Sequence, residues 1–478
     1  MIAGLKSYPA MKDSGVPWLG EVPEHWEVRK LKRAVGFSGG GTPSKANALF
    51  WNGHIPWVSP KDMRTSLIRD AADHITEEAI KASATSVVKP GAVLMVVRSG
   101  ILRRTIPVAI NIVNVALNQD MKALRPKAGL VNDYLRLLIQ GNEASLIAEW
   151  TKQGATVESI EHEFLSNSRV PLPPLPEQAA IVRFLDDADR RIRCYIRAKQ
   201  KLIKLLEEQK QAIIHRAVTR GLDANVRLKP SGVEWLGEVP EHWDVRPAKR
   251  IFREVDERSV TGEEELLSVS HLTGVTPRSQ KIITMFMAES YVGHKLCRSG
   301  DLVINTMWAW MAALGVARQT GIVSPAYGVY RPLRNSPLLG NYADLLLRTR
   351  AYVSEYLCRS TGVQASRLRL YPEQFLRIAM VCPPVGEQQA ILDHIGIETA
   401  ETNRAIAVAN REISLLREYR TRLIADVVTG KLDVRAAAAS LPDEADEPEA
   451  LDDSEALGEG DEGATEGDLH AAPEEAAA

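Results

Sequence analysis

The sequence predicts a mixed fold of the α/β (α+β) class, in which two similar domains alternate with two long helices. Residues 12–33, KDSGVPWLGEVPEHWEVRKLKR, return at 229–250 as KPSGVEWLGEVPEHWDVRPAKR, with 17 of 22 positions identical. Two other stretches carry apolar residues at coiled-coil spacing over about 43 residues each. Landmarks such as Gly91 and Gly300 recur at nearly constant separations. We therefore expect an internal repeat with pseudo-twofold symmetry.

The repeated segment sets six large side chains among glycines and prolines: Trp18, Trp26, Trp235, Trp243, His25 and His242. We expect the tryptophans to anchor small cores or to dock against the long helices rather than to contact a ligand. The two histidines have no partner at the spacing of metal ligands. The segment therefore predicts no metal site.

Each long helix begins at a proline-rich start signal, LPPLPEQ at 172–178 and CPPVGEQ at 382–388. Proline fits the first helical turn, and Glu177 and Glu387 lie where the helix dipole favours negative charge. Spacings of four and three then run through Ile181, Leu185, Ala188, Ile192, Tyr195, Lys199, Leu202, Leu206, Gln209 and Ile213. At 1.5 Å per residue, such a helix is a rod of roughly 65 Å, so we expect a coiled coil that spaces the domains. A helical hairpin or an oligomerising coil without a further role is the alternative.

These features divide the chain into a first domain at 1–171, a first long helix at 172–223, a second domain at 224–381, a second long helix at 382–435 and a tail at 436–478. Each domain contains strand-like runs and closes with an amphipathic helix, predicted at 131–150 and at 338–358. Outside the repeated segment the two domains share little sequence. Identical scaffolding that carries divergent domains suits a reader of two different half-sites better than an enzyme with one active site.

The formal net charge of −2 is the sum of a basic region, residues 1–435, and an acidic tail. Asp and Glu number 15 between Asp443 and Glu475, and no Lys or Arg follows Arg435, so residues 1–435 carry a formal +13. We expect the tail from 436 to be disordered, because it lacks the apolar residues for a core. It either solubilises the chain or acts as an intramolecular mimic of a polyanion.

The chain has no apolar signal-peptide core and no span of 18 apolar residues, which predicts a cytoplasmic protein without a membrane segment. The cysteines fall at no metal or redox spacing and are expected to be reduced thiols: Cys194, Cys297, Cys358 and Cys382.

The sequence lacks the motifs of common enzyme classes. It contains neither a Walker lysine motif nor an amino-methyltransferase loop, and its serine-glycine pairs do not form a nucleophile elbow. The run Gly39–Gly41 has neither the preceding strand nor the spacing of a dinucleotide site, so we expect a flexible turn. We therefore predict no catalytic residue, no metal ligand and no cofactor bound by this chain.

Basic side chains on predicted loops are the remaining candidates for function. Arg and Lys bind phosphates, and Arg also reads guanine edges in the major groove of duplex DNA. The candidates are Lys61, Arg64, Arg98, Arg103, Arg104 and Lys152 in the first domain and Arg278, Lys281, Arg298, Arg318, Arg367 and Arg369 in the second. For each of them, a solvated surface charge is the alternative interpretation.

The repeat, the two Pro-Pro-x-x-Glu-Gln starts and the long helices, in this order over 12–435, resemble the specificity subunit of type I restriction-modification enzymes. The resemblance implies two target-recognition domains that each read half of an interrupted site in double-stranded DNA, and an antiparallel coiled coil that spaces them. It implies a non-catalytic chain that docks two DNA methyltransferase (modification) subunits. S-adenosylmethionine would be bound by those partners, and ATP and magnesium by restriction motor-nuclease subunits. Ala92 departs from the family's Gly-Asp-Leu strand, and the acidic tail is outside the family pattern.

Two other classes of function compete with this interpretation. An enzyme fused to its own recognition domains would need a methyltransferase or nuclease module, and no stretch of the chain is left to house one. A coiled-coil adaptor would not need two divergent basic domains. The sequence favours the DNA-reading subunit.

Overall fold

The computed structural model of the chain describes residues 5–152, 158–280, 290–362 and 368–442. They form two compact units, one that joins the chain up to Gln200 to the segment from Arg411 and one that comprises Lys201–Asn410. The helices are α1 (Leu31–Ala34), α2 (Glu77–Ala82), α3 (Asn132–Gly141), α4 (Glu143–Trp150), α5 (His162–Asn167), α6 (Leu175–Arg220), α7 (Gly340–Leu347), α8 (Arg350–Arg359), α9 (Pro372–Phe375), α10 (Val385–Val428) and α11 (Arg435–Ala439).

The strands of the first unit are β1 (Met11–Asp13), β2 (Glu21–Pro23), β3 (Glu27–Lys30), β4 (Val35–Gly39), β5 (Trp51–Val58), β6 (Leu67–Ile68), β7 (Asp73–Ile75), β8 (Val87–Val88), β9 (Val93–Val96), β10 (Val108–Asn111), β11 (Val115–Leu117), β12 (Met121–Pro126) and β13 (Arg169–Leu172). Those of the second unit are β14 (Leu228–Pro230), β15 (Glu238–Pro240), β16 (Asp244–Pro247), β17 (Phe252–Glu254), β18 (Leu267–Ser270), β19 (Gly274–Pro277), β20 (Lys295–Cys297), β21 (Leu302–Ile304), β22 (Leu314–Val316), β23 (Gly321–Val323), β24 (Gly328–Pro332) and β25 (Ala379–Cys382).

The first unit contains two sheets packed on each other through β9. The larger has the order β4-β12-β9-β10-β6, and the smaller has the order β7-β5-β11-β8. Strand side chains alternate between faces, so Val93 and Met95 join the core around α3, whereas Leu94 and Val96 join the core of the smaller sheet. β9 is therefore buried on both faces.

The second unit repeats this plan. Its sheet has the order β17-β24-β21-β22, and β21 again divides its side chains between two cores, Leu302 and Ile304 on one face and Val303 on the other. The hairpin β14-β15 corresponds to β1-β2, and the pair β16-β25 corresponds to β3-β13. The predicted α/β (α+β) class and the internal repeat are confirmed.

The amphipathic helices predicted at 131–150 and 338–358 are each broken in two, which the sequence did not indicate. α3 ends at Gly141, where a Cβ would lie 2.9 Å from the backbone nitrogen of Ala425 in α10. α7 ends before Thr349, whose hydroxyl donates to the carbonyl of Leu346 at 2.8 Å. Both halves of each pair have buried apolar residues, so the periodicity continues across the break.

In the first unit, the repeated segment joins the start of α6 to the end of α10. The indole N–H of Trp26 donates to Glu177 at 3.1 Å, and a Cβ at Gly430 would lie 3.0 Å from the Trp26 ring. His25 lies 2.8 Å from the same carboxylate, and the Tyr8 hydroxyl donates to it. Gly430 has a φ of 79°, a conformation that favours glycine just beyond a helix.

The second unit forms the same junction with the helices exchanged. Trp243 donates to Glu387 at the start of α10 at 3.0 Å, and a Cβ at Gly221, beyond the end of α6, would lie 3.2 Å from its ring. His242 lies 2.7 Å from Glu387. The docking of Trp26 and Trp243 against the long helices is confirmed, and each histidine contacts a helix-start carboxylate.

The glutamine after each of these glutamates fixes the helix start to its domain. Gln178 is fully buried and donates to the carbonyls of Gly129 and Pro173, at 2.8 Å each, while its oxygen accepts from the N–H of Val131 at 2.8 Å. In the second unit the buried amide of Gln388 bonds the equivalent backbone groups, those of Pro337, Pro383 and Leu339. The Glu-Gln pair of each start signal therefore attaches the long helix to its domain twice, through the glutamate to a tryptophan and through the glutamine to backbone groups.

The buried stripe of α6 departs from the predicted heptad. The stripe begins as predicted at the buried residues Ile181, Leu185, Ala188 and Ile192. Tyr195 and Leu202 are 58% and 42% exposed, so their placement in the seam was wrong, and Ile196 is buried instead. The predicted polar seam position Gln209 is also exposed.

A row with an eleven-residue period is buried or half-buried in both long helices, and the heptad row Ile395, Thr402, Ala409, Leu416 and Leu423 of α10 is buried or half-buried as well. Buried or half-buried residues recur in α6 at Ile181, Ile192, Ile203 and Ile214, and in α10 at Ile391, Thr402, Ile413 and Ile424. Eleven residues in three turns is 3.67 per turn, close to the 3.6 of an undistorted helix, whereas a heptad needs 3.5. In α6 the heptad row Leu185, Ile192, Lys199, Leu206 and Ile213 also stays buried or half-buried, and the exposed seam positions are Tyr195, Leu202 and Gln209.

Ion pairs in the first unit show that the two helices run antiparallel. Lys199 of α6 pairs with Glu412 of α10 at 2.6 Å, and Asp189 pairs with Arg420. As the residue number rises in α6, that of its partner falls in α10. The antiparallel pairing is confirmed, and Lys199, predicted as a polar seam position, faces an acidic partner.

The ordered chain extends beyond the predicted start of the tail. Residues 436–439 belong to α11, in which Ala438 is 3% exposed and packs with Val434 in the core of the first unit. Arg183 donates to the carbonyls of Leu441 and Pro442 at 2.7 and 2.9 Å. The expectation of disorder from 436 was wrong for this segment, and residues 443–478 lie outside the described chain.

Among the described helices, none combines the length and the apolar character that a membrane span requires.

Candidate nucleic-acid interface

Four segments of the first unit meet at the edge where β5, β9 and β11 end. The N–H of Asn118 donates to the carbonyl of Val58 at 3.0 Å, and the carbonyl of Asp120 accepts from Val97 at 2.8 Å. Val97 in turn accepts from the N–H of Ile160 at 2.8 Å. We call this the first loop edge, which comprises residues 59–64, 97–106, 118–120 and 158–160.

All six basic candidates of the first domain lie in this edge or next to it: Lys61, Arg64, Arg98, Arg103, Arg104 and Lys152. Lys152 follows Thr151, which forms a β-bridge with Ile160 of the edge. All six side chains are exposed. The structure therefore brings together residues that are up to 91 positions apart in the sequence.

Two of these cations have acidic neighbours. Lys61 lies 2.7 Å from Asp73, and Arg103 lies 3.4 Å from Glu158. Both pairs are open to water, where an ion pair contributes little free energy. Either cation can therefore exchange its carboxylate for a phosphate at low cost.

The glycine run beside the first loop edge is closely packed, so the prediction of a flexible turn was wrong. A Cβ at Gly40 would lie 1.9 Å from the carbonyl oxygen of Asn118, and the N–H of Gly41 donates to Leu117 at 2.9 Å. No other residue type fits at Gly40. The run fixes the turn at 118–120.

Lys122 follows this turn and was not among the predicted residues. Its amine lies 3.2 Å from Nδ1 of His162. Burial lowers the pKa of Lys122, and burial together with the Lys122 charge lowers the pKa of His162. The lowered pKa of His162 favours the neutral imidazole, whose Nδ1 can accept a hydrogen bond from the lysine amine. Nothing in the sequence singles out this lysine, since it lies within a strand.

The second unit presents an equivalent edge of different chemistry. The N–H of Leu370 donates to the carbonyl of Thr306 at 2.9 Å, as Ile160 does to Val97, and the Thr306 hydroxyl donates to Ala326 at 2.9 Å. The loop that follows Thr306 reads Met-Trp-Ala-Trp-Met-Ala. We call this the second loop edge, which comprises residues 306–313, 324–327, 361–362 and 368–370.

Only Arg369 of the second-domain candidates that the structure describes lies in this edge, with its guanidinium 3.9 Å from the sulfur of Met307. Arg298 and Arg318 lie at the opposite end of the β21-β22 hairpin, where Ser299 donates to the Arg318 carbonyl at 3.0 Å. Arg278 lies next to the start of β18. Lys281 and Arg367 lie outside the described residues.

Arg298 belongs to an ion-pair network around Arg331. Arg331 binds Asp301 at 2.8 Å and Glu257 at 2.7 Å, and Arg298 binds Glu257 at 3.1 Å. Asp301 is 2% exposed, so its charge requires these partners. Because the first domain has Ala92 at the position of Asp301, this network is a feature of the second unit alone.

Sequence reasoning missed the aromatic side chains of the second loop edge. Met307, Trp308, Trp310 and Met311 are all half-buried. Two tryptophans and two methionines within five residues were the available signal, because aromatic residues stack on bases and methionine adapts to varied apolar surfaces.

Among the residues that the structure describes, no group of three or more His, Cys, Asp or Glu could hold a metal ion. Burial raises the pKa of the Cys297 and Cys382 thiols to about 11 and about 12, so both are protonated at neutral pH.

Comparison with known proteins shows which proteins this chain is similar to. Residues 23–205 match the family model described as "Type I restriction modification DNA specificity domain". The chain is 35% identical over 203 residues to the type I restriction enzyme EcoR124I/EcoR124II specificity subunit of Escherichia coli, a match that covers 42% of this chain and 47% of that protein. It is 29% identical over 196 residues to the MjaIX specificity subunit of Methanocaldococcus jannaschii, over 40% and 43% of the two chains. The match thus spans about half the length of each relative.

The fold is also found in a solved structure described as "Structural basis underlying complex assembly and conformational transition of the type I R-M system". That chain shares 15% sequence identity with a TM-score of 0.57, over 86% of this chain and 99% of the other. At this identity the likeness concerns the fold alone. Residues 23–205 are therefore similar in sequence to type I restriction modification DNA specificity domains, and the chain is similar over about half its relatives' length to type I specificity subunits.

Proposed function

We propose that this chain is the non-catalytic specificity subunit of a type I restriction-modification complex, in which each unit reads one half of a bipartite site in double-stranded DNA. One observation carries the proposal. Two matching scaffolds present loops at the same position, and these loops differ in chemistry, with arginines in the first unit and tryptophans and methionines in the second. A protein that reads two unlike half-sites needs this combination.

The proposal also gives the two long helices two roles, spacing and docking. They set the distance between the half-sites and dock two DNA methyltransferase subunits, which bind S-adenosylmethionine. Restriction motor-nuclease subunits complete the complex in the cytoplasm and bind ATP and magnesium. The names of the relatives support this assignment, since each is a specificity subunit of a type I restriction enzyme.

Reconstitution tests the absence of catalysis. The purified chain alone is expected neither to methylate nor to cut DNA, whereas addition of the cognate methyltransferase subunit gives methylation that requires S-adenosylmethionine. Methyl transfer by the chain alone, with contaminating methyltransferase excluded by mass spectrometry, would contradict the proposal.

A domain exchange tests the division of labour. Replacing residues 34–167 with those of a relative is expected to change one half of the methylated site and to leave the other half intact. The matched exchange of 251–380 changes the other half. Methylation mapping by sequencing reads both outcomes. If the first exchange altered both halves together, the two-reader assignment would be wrong.

A further inference from the structure

The loop Thr306–Ala313 differs from its counterpart in charge as well as in shape. No charged side chain occurs from Asn305 to Ala317, whereas the loop 97–106 of the first unit contains three arginines. Both loops connect the third and fourth strands of the same sheet order, β9 to β10 and β21 to β22. The two units therefore present opposite chemistries at one structural position.

The loop of the second unit is held rigid by its own hydrogen bonds. Met311 donates to the carbonyl of Trp308 at 2.9 Å, Trp308 donates to Asn305 at 3.0 Å, and the indole N–H of Trp310 donates to Met307 at 2.9 Å. Ala312 adopts a φ of 64°, a strained conformation for a residue with a Cβ. Strain of this kind persists only where the surrounding structure fixes the backbone, and strained residues cluster at functional sites.

One part of the loop Thr306–Ala313 is buried, and another part leaves apolar surface exposed at the second loop edge. Ala309 is fully buried, and the turn Ala309–Met311 packs against α8. Trp308 and Trp310 remain half-buried, whereas Trp150 and Trp243, which serve the cores, are fully buried. Since the N–H of Trp310 is satisfied within the loop, its ring can meet an apolar surface without leaving a donor unpaired.

We propose that Trp308 and Trp310 determine the sequence of the second half-site through apolar contacts to thymine methyl groups. The thymine C5-methyl is the apolar group that base pairs present in the major groove, so a rigid uncharged loop distinguishes T·A pairs there. Arg369, beside Met307, supplies the phosphate contact that positions the loop. The proposal rests on the proposed function and adds the chemistry by which the second unit reads.

Selection from a pool of 40-base-pair duplexes with randomised sequence tests it with the full chain. The enriched site is expected to contain thymine in one half. Replacing those thymines by deoxyuridine removes only the methyl groups, and is expected to weaken binding roughly tenfold or more. The same replacement in the other half has little effect. The deoxyuridine measurement needs no protein variant, so it is independent of any folding defect.

Variants then assign the effect to the loop. For Trp310→Ala, we expect the selection to lose its base preference in the thymine-containing half alone. Replacement of thymine by deoxyuridine should then no longer weaken binding. Trp235→Ala is the matched control, because Trp235 is a half-buried tryptophan of the same unit that packs on Tyr352 at 4.9 Å and lies outside the loop. In the double variant Arg103→Ala/Arg104→Ala, the slope of the logarithm of the binding constant against the logarithm of the salt concentration should become shallower, by the equivalent of up to about two phosphate contacts. Trp310→Ala should leave this slope unchanged.

Equal binding of thymine and deoxyuridine duplexes by the unaltered chain overturns the inference, as does an unchanged preference in a folded Trp310→Ala variant. In both cases the proposed function stands, since the chain still selects a bipartite site. If the unaltered chain enriches no sequence at all, the proposed function fails and the inference fails with it.

Discussion

Replacing Gln178 by leucine should weaken the attachment of α6 to the first unit and leave the second unit unaffected. The buried amide bonds three backbone groups, the carbonyls of Gly129 and Pro173 and the N–H of Val131. Leucine fills a similar volume but satisfies none of them. An unpaired buried polar group costs about 1–2 kcal/mol, so we expect a loss of about 3–5 kcal/mol.

Gln388→Leu is the matched experiment in the second unit, and Gln389→Leu is the control. Gln389 is the next residue in α10, is exposed, and donates to Asp393 one turn along the helix at 2.9 Å. An exposed substitution of this kind changes stability by less than about 0.5 kcal/mol. The control thus shares helix, residue type and neighbourhood, and differs in burial.

Hydrogen exchange measured by mass spectrometry is the suitable assay, because a chain of two units does not unfold in a single two-state transition. For Gln178→Leu, peptides over 129–135 should exchange about a hundredfold faster or more, since every 1.4 kcal/mol is a factor of ten. For Gln388→Leu, the acceleration should move to 337–343. Acceleration of both segments by one substitution, or of neither, would refute the assignment of Gln178 and Gln388 as separate attachment points.

Four further outcomes are expected. Arg331→Ala should destabilise the second unit by about 2–4 kcal/mol, because it leaves the buried Asp301 carboxylate without its main partner, whereas Arg125→Ala, on an exposed strand position of the first unit, should cost less than about 0.5 kcal/mol by the same exchange measurement. Partial burial raises the pKa of Asp186 from 3.8 to about 6, so the folded chain binds that proton more tightly than the unfolded chain and stability falls as pH rises through this window. Asp186→Asn should remove this part of the pH dependence in urea titrations, but the change should be small because water still reaches 55% of the side chain and weakens the effect of burial. Deleting 443–478 should strengthen binding to random duplex in filter assays mainly at low salt, and equal binding at every salt concentration would leave the solubilising role. Inserting eleven residues into both long helices should keep their buried stripes in phase and lengthen the gap between half-sites by about 16 Å, or roughly five base pairs, in methylation maps, and an unchanged gap would show that the helices do not set it.

The scaffold could be predicted from the sequence because its signals are local and doubled. A segment with 17 of 22 identical positions and two matching helix starts required no knowledge of tertiary contacts. The docking of Trp26 and Trp243 followed from their setting among turn residues. The partner of each tryptophan could not be predicted, since Glu177 is 151 positions from Trp26 and only the fold brings them together.

The second loop edge could not be predicted because it depends on strand register. Arg298 and Arg318 follow strand-like runs, as Arg98 does, and a sequence gives no sign of which end of a hairpin they occupy. The pairing of Leu302 with Val316 places both arginines at the open end of the hairpin, opposite the loop with Trp308. One row of the α6 seam was wrong for a related reason: the exposure of Tyr195 and the burial of Ile196 depend on tertiary contacts that the spacing of apolar residues does not give.

The junction of Trp26 with Gly430 also sets the order in which the chain can fold during synthesis. The second unit is a continuous segment, Lys201–Asn410, and its parts are all available once that segment has left the ribosome. The first unit begins earlier but needs Val427 and Val428, both fully buried in its core, and these emerge about 400 residues after Trp26. Contacts so distant in sequence form late, because bringing the ends of a long loop together costs entropy before the contacts compensate for it. The domain that is synthesised first is therefore completed last, and until then its unfinished core depends on the final segment of the helical pair.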